Sequence, residues 1–209
     1  KPLAYLIGKK GFWKNSFIVT PDVLVPRPET ETLVDAILNE NLQDKTLLEL
    51  GTGSGAISIS IAQENKDCFI FATDISIKSI LVAKQNAEKF CCENIIFLNH
   101  DWNNEWLFPQ VDYLISNPPY VDKEATTGKE EGIWHEPEKA LFSKDKGLSD
   151  LKLILSKGKN FLNENGKVYL EHAPDQYEEL NKFAVENGYL NFSNLNDLNG
   201  DKRVSIYQC

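Results

Sequence analysis

Thr46-Leu47-Leu48-Glu49-Leu50-Gly51-Thr52-Gly53-Ser54-Gly55-Ala56 runs from a short apolar segment through three alternating glycines into small and branched residues that continue to Gln63. An apolar run, a turn and an unbroken helical stretch make a strand–turn–helix unit. The glycines let the backbone turn tightly and approach a ligand without a Cβ in the way. Outward from this unit the alternation repeats. Strands are expected at 68–73, 95–98, 111–115 and 167–171, and helices at 76–90, 147–162 and 174–187. Ser76 reads as an N-cap and Gly188 as a C-terminal cap. Two last strands, 189–192 and 204–207, have no helix between them and predict an antiparallel hairpin at one edge. The pattern is that of an α/β fold, a mostly parallel seven-stranded sheet with helices on both faces.

Upstream of Thr46, Phe12-Trp13 and Phe17-Ile18-Val19 flank Lys14-Asn15-Ser16, a short β-hairpin with a polar turn. In Pro26-Arg27-Pro28-Glu29-Thr30-Glu31 two prolines hold Arg27 extended, and Pro28 with the following acids opens a helix. We therefore divide the chain into a hairpin and linker segment, 1–28, and a main domain, 29–209. Residues 121–146 form a long polar connection, the kind that carries function or mobility.

Composition narrows the class. The chain has 209 residues, 42% hydrophobic and 25% charged, which suits one well-packed domain. A net charge of −9 argues against a surface that grips nucleic acid. There is no long apolar run for a membrane span and no signal segment, so a cytoplasmic monomer is expected. Cys68, Cys91, Cys92 and Cys209 lack metal-ligand spacing and read as reduced thiols, Cys68 in the core. His100, His135 and His172 are scattered, so no metal site is expected. The chain begins at Lys1 and contains no methionine, and is expected to be a fragment.

The chemistry lies at the predicted strand ends. Gly51, Gly53 and Ala56 satisfy the G-x-G-x-x-G/A fingerprint, and Asp74 follows the next strand, where a carboxylate can accept ribose hydroxyls. Together they point to an adenosine-containing cofactor, a nicotinamide dinucleotide or S-adenosylmethionine. After the third strand come Asp101 and Trp102, a carboxylate for an exocyclic amine and an indole to stack on adenine. Val111 to Ile115 run into Ser116-Asn117-Pro118-Pro119-Tyr120, where two prolines end the sheet ladder. A dehydrogenase needs a proton donor or acceptor near its hydride site, and Asn117 and Pro118 supply neither. They offer two acceptors, the Asn117 side-chain oxygen and a backbone carbonyl, which suit a planar –NH2 group, with Tyr120 to stack on it. That favours methyl transfer to nitrogen from S-adenosylmethionine, driven by positioning and electrostatics.

Asn117-Pro118-Pro119-Tyr120 resembles the signature of Rossmann-like class I methyltransferases that act on amide or adenine nitrogens. Pro2 to Gly8, Pro26 to Glu31, Glu49 to Ala56, Asp101-Trp102, Glu136-Pro137, Ala140-Leu141, Asp197-Leu198, Gly200-Asp201 and Arg203 extend the likeness, and the chain is similar to the bacterial protein-(glutamine-N5) methyltransferases. The resemblance implies S-adenosylmethionine as donor and, as acceptor, the glutamine of the Gly-Gly-Gln motif in peptide chain release factors 1 and 2. Carried over by position, Gly51, Thr52, Gly53, Ser54 and Gly55 line the methionine end, Asp74 holds the ribose, and Asp101 and Trp102 hold the adenine. Asn117 touches cofactor and substrate, while Pro118, Pro119 and Tyr120 clasp the glutamine amide. The catalytic residues are then Asn117, Pro118 and Tyr120. Arg27 either faces the substrate or pairs with Glu29 or Glu31, and Glu136 is a candidate for shaping the pocket. Family members begin with a small helical domain, which this chain is expected to lack. The alternative is an adenine-N6 methyltransferase acting on DNA or RNA.

Overall fold

The computed structural model describes residues 2–126 and 135–209. A five-residue helix, α1 (Leu3–Ile7), precedes the hairpin strands β1 (Lys9–Phe12) and β2 (Asn15–Ile18); then come α2 (Glu31–Leu38), β3 (Thr46–Leu50), α3 (Ala56–Glu64), β4 (Phe69–Asp74), α4 (Ile77–Lys89), β5 (Ile95–Asn99) and β6 (Val111–Ser116). Two short strands, β7 (Val121–Asp122) and β8 (Phe142–Ser143), lie within the 121–146 connection, of which residues 127–134 fall outside the described residues. The chain ends with α5 (Ser149–Gly158), β9 (Leu162–Glu171), α6 (Tyr177–Glu186), β10 (Asn191–Asn196) and β11 (Lys202–Gln208).

The main sheet has seven strands in the order β10-β11-β9-β6-β3-β4-β5. β3, β4, β5, β6 and β9 are parallel, and β11 runs against both of its neighbours. The expected parallel sheet with an antiparallel edge hairpin is therefore present. Its order is set by the chain leaving β3 toward β4 and β5, then crossing back to place β6 on the other side. The sheet thus has its switch point between β3 and β6, and in open α/β sheets the crevice at the carboxyl ends there binds ligands. Ser116 Oγ donates to the Leu50 carbonyl at 2.7 Å and ties those two ends together.

Two apolar clusters cover the sheet. One joins Leu33 and Ile37 of α2 and Ile57, Ile59 and Ile61 of α3 to the sheet, together with Phe12 and Phe17 of the hairpin. The other carries Leu151, Ile154 and Leu155 of α5 and Leu180 and Ala184 of α6. Helices therefore lie on both faces, and the hairpin shares a core with the sheet.

Several boundaries differ from the sequence expectation. The hairpin turns at Trp13-Lys14, so Asn15 already pairs with Phe12. The helix expected at 147–162 is shorter because Asp145, Lys146 and Gly147 take consecutive positive φ values of 53°, 54° and 84°. Such a left-handed run cannot begin an α-helix, and Leu162 already belongs to β9. The helix expected from Pro174 begins at Tyr177, because Gln176 turns back to accept the Ala173 N–H at 2.9 Å. Tyr189 is a core residue rather than a strand residue; its hydroxyl donates to the Leu155 carbonyl at 2.8 Å. Ser76 caps α4 as expected, accepting from the Ser79 N–H. Cys68 is buried and unpaired, no potential metal cluster occurs among the described residues, and none of their helices is long and apolar enough to cross a membrane.

Candidate active site

The glycine turn, Asp74 and Asn117 sit at the carboxyl edge of the sheet, each at the end of its own strand. The turn after β3 is held by β4: the Gly51 and Thr52 N–H groups both donate to the Thr73 carbonyl, at 2.9 and 2.8 Å. Gly51 has φ 76°, and a Cβ there would lie 3.3 Å from the Trp102 ring. The turn and the indole therefore close on each other. A Cβ on Gly55 would strike Ile59 at 2.8 Å, so that glycine serves helix packing. Asp74 ends β4 with Oδ2 accepting from the Gly53 N–H (2.9 Å) and Oδ1 from the Ser76 N–H (2.8 Å). Burial raises its pKa, and these two N–H groups counter the rise. A carboxylate has about four acceptor positions, so Asp74 keeps capacity toward a ligand.

A cavity of about 450 Å³ opens here, lined by Gly51, Gly53, Asp74, Trp102, Asn117 and Pro119 among others. A second, of about 520 Å³, lies beside it and includes Arg27, Glu29, Asn117, Pro118, Tyr120 and Glu136 in its lining. Asn117 lines both. Its Nδ2 donates to Thr30 Oγ1 at 3.0 Å, which leaves Oδ1 as the free end of the amide, an acceptor where the cavities meet. Two adjoining cavities that share one acceptor side chain fit a two-substrate transfer.

A family profile described as "Methyltransferase small domain" matches residues 28–179. The release factor glutamine methyltransferase of Coxiella burnetii is 38% identical over 99% of this chain and 74% of its own length. The protein of the same name from Escherichia coli K12 is 33% identical over 99% of this chain and 75% of its own. This chain belongs to the release factor glutamine methyltransferase family. Its fold is shared with a methyltransferase from Pyrococcus furiosus, at a TM-score of 0.67 and 20% identity over 92% of this chain and 87% of that one.

Within this family member, the remaining candidates fall into distinct positions. Trp102 is fixed as a cavity wall by its Nε1, which donates to Asp150 Oδ1 at 3.1 Å, and by Lys157 Nζ, which donates to its carbonyl at 2.8 Å. Asp101 turns elsewhere: Oδ1 accepts from the backbone and side-chain nitrogens of Asn103, at 2.9 and 2.8 Å. These bonds hold its carboxyl below the usual range. The Thr52 hydroxyl donates to Glu49 Oε2 at 2.7 Å, and the Ser54 carbonyl accepts from Asn86 Nδ2 at 2.9 Å. Both residues thereby brace the glycine turn.

Arg27 lines the second cavity and pairs with neither Glu29 nor Glu31. Its partner is Glu136, whose Oε2 also accepts the Val25 N–H at 3.0 Å. Glu31 instead takes the Trp13 N–H at 2.7 Å and so anchors the hairpin to α2. The Tyr120 hydroxyl donates to Glu171 Oε1 at 2.9 Å. Burial, then the Glu171 charge, push the Tyr120 pKa upward, which keeps the phenol protonated.

Sequence reasoning passed over Thr30, Asp150, Glu171 and Gln176. Glu171 ends β9, beside Ser116 at the end of β6. The strand-end argument that selects Asp74 and Asn117 selects it too.

Proposed function

We propose that this chain transfers a methyl group from S-adenosylmethionine to the side-chain amide nitrogen of a glutamine in a peptide chain release factor. The observation that carries the reading is Asn117 as a lining residue of both cavities, with its amide nitrogen engaged by Thr30. The residues present suit the donor. Gly53 has nothing within 4 Å of where a Cβ would stand, Asp74 retains acceptor capacity for ribose hydroxyls, and Trp102 offers an indole edge to the same cavity. Bound there, S-adenosylmethionine supplies an electrophilic methyl on a sulfonium.

The protein's task is the nitrogen. An amide –NH2 is a poor nucleophile because its lone pair is delocalised into the carbonyl. Asn117 Oδ1 and the Pro118 carbonyl accept its two N–H bonds and hold the nitrogen in a more tetrahedral geometry, its lone pair aimed toward the first cavity. Two fixed acceptors act through orientation and electrostatics. Tyr120, tied by its hydroxyl, gives the amide plane a face to rest on. The proton can leave after the transfer, so no general base must act first. Gly51 to Gly55 shape the donor cavity, and Arg27 with Glu136 walls the acceptor side.

The substrate assignment follows the relatives, proteins named release factor glutamine methyltransferase. We assign the Gly-Gly-Gln glutamine of release factors 1 and 2, a cytoplasmic setting and a monomeric enzyme to the same proposal. The net charge of −9 disfavours a nucleic-acid acceptor. The test offers release factor and DNA together with labelled S-adenosylmethionine. The expected result is label on the release factor alone; label on DNA adenine would replace glutamine with the adenine-N6 alternative.

A further inference from the structure

Trp102 walls the first cavity, yet it is fixed by a helix whose described residues line neither cavity. That helix, α5, holds Trp102 at two points. Asp150, in its first turn, accepts the indole Nε1–H at 3.1 Å. Lys157 stands two turns further on and so on the same helix face. It donates to the Trp102 carbonyl at 2.8 Å and to the Asn103 and Asn104 carbonyls at 2.9 Å each. Lys157 thus anchors the backbone and Asp150 the ring.

Asp150 is itself braced. The Ser143 hydroxyl, in a residue only 8% exposed, donates to Oδ2 at 2.5 Å, and its oxygen accepts the Asp150 N–H at 3.1 Å. An indole N–H only donates, so Oδ1 is its acceptor and both carboxyl oxygens are engaged. Ser143 lies in β8, in register with Asp122 of β7, the strand that follows Tyr120 directly. The brace therefore reaches the donor cavity from the acceptor side. The opposite edge of the indole is bounded too, since a Cβ on Gly51 would stand 3.3 Å from Trp102 Cζ3. With its one polar hydrogen given to Asp150, Trp102 offers the cavity a π surface and no hydrogen-bond donor. Such a surface suits a flat heteroaromatic ring. An acid in a first turn is favoured by the helix end alone, but that effect calls for no contact with a side chain 48 residues away.

From this geometry, and resting on the cofactor role proposed for Trp102 above, we infer that Asp150, braced by Ser143, is a positioning residue for the cofactor. It fixes the indole plane on which the adenine ring rests, and neither Asp150 nor Ser143 touches the cofactor itself. Without it the ring can turn about its side-chain torsions while the rest of the cavity stays in place. The loss falls on cofactor binding rather than on the chemical step.

The test measures S-adenosylmethionine affinity by calorimetry, with kcat and the cofactor KM on a release factor beside it. Trp102→Ala should lose about five- to a hundredfold in affinity, the range for one base stacked on an aromatic ring. Asp150→Ala should lose about three- to tenfold, the scale of one hydrogen bond, as a rise in KM with kcat at saturating cofactor retained. Asp150→Asn should recover most of it, because its amide oxygen still accepts the indole N–H while its –NH2 donates to Ser143. Ser143→Ala, which leaves Asp150 its carboxyl but not its brace, should lose affinity in the same direction. Trp102→Phe has no N–H to hold, so adding Asp150→Ala to it should cost nothing further. Wild-type affinity in Asp150→Ala, equal loss in Asp150→Ala and Asp150→Asn, or the same Asp150→Ala loss in the Trp102→Phe background would overturn the positioning role; wild-type affinity in Ser143→Ala would overturn the brace. Unchanged affinity in Trp102→Ala would overturn the cofactor reading of Trp102 itself, whereas lost affinity there with wild-type affinity in Asp150→Ala overturns the positioning alone.

Discussion

Gly147→Ala should damage the site from outside it. Gly147 has φ 84°, and a Cβ built there would stand 1.9 Å from the Tyr120 carbonyl oxygen and 2.6 Å from Gln176 Nε2. That nitrogen donates to the Tyr120 and Lys146 carbonyls at 2.9 and 3.0 Å, so the methyl would occupy the space that seats Tyr120. An L-residue in the left-handed region costs about 1–2 kcal/mol. Losing the Gln176 hydrogen bond to Tyr120 adds about 1 kcal/mol. The total, about 2–3 kcal/mol, lowers the melting temperature by roughly 4–12 °C in a chain of this size. To relieve the overlap the Tyr120 carbonyl must also move by roughly 1 Å, a displacement that can cost about a hundredfold in rate. Gly200→Ala is the control. Gly200 has φ 89° but nothing within 4 Å of its Cβ position, so it bears the backbone cost alone. Differential scanning calorimetry and steady-state methyl transfer on both variants separate the two effects. If Gly147→Ala matched Gly200→Ala in melting temperature and turnover, the seating of Tyr120 on Gly147 would be refuted.

Asp74→Ala should weaken S-adenosylmethionine binding about ten- to a hundredfold, because the proposed ribose acceptor goes and the Gly53 and Ser76 N–H groups lose their acceptor; unchanged affinity by calorimetry would remove Asp74 from the cofactor site. Burial raises the Glu49 pKa from its ordinary 4.5 to about 7, against the Ser58 and Thr52 hydroxyls. The folded state therefore holds this proton more tightly than the unfolded one, and the stability it contributes is full below about pH 4.5 and lost as pH rises to about 7. Glu49→Gln stays neutral, so its melting temperature should gain on wild type across that interval; a gap that does not change with pH would count against it. Glu136→Ala strands the buried Val25 N–H and frees Arg27, which should cost about 1–3 kcal/mol and raise KM for the release factor, with cofactor affinity as the unaffected comparison.

The sequence carried the sheet because parallel strands announce themselves locally. Thr46 to Leu50 and Val111 to Ile115 are short apolar runs, and glycine or proline ends each one. The same locality made Asp74 and Asn117 readable, since each follows its strand directly. Glu171 ends its strand and was readable in the same way, but its partner was not, and Thr30 and Gln176 were not readable at all. Their roles rest on contacts that span 87 residues for Thr30 with Asn117, 51 for Tyr120 with Glu171, and 56 for Gln176 with Tyr120. Arg27 shows the same limit, having its partner 109 residues away in Glu136 rather than among its neighbours. Gly147 was read as the start of a helix because the apolar spacing that follows it is helical. The left-handed turn that overrides this spacing depends on packing against Tyr120.

The proposed acceptor role of Asn117 is the central claim. Its most direct test is mass mapping of a release factor after incubation with S-adenosylmethionine and either wild type or Asn117→Ala, at matched cofactor occupancy. We predict one added methyl on the side-chain amide of the Gly-Gly-Gln glutamine with wild type. Asn117→Ala should form it about a hundredfold or more slowly, the scale for losing one preorganised polar contact to the reacting group, while cofactor affinity is largely retained. Methylation of that glutamine at the wild-type rate by Asn117→Ala, or a methyl found on another residue, would contradict it.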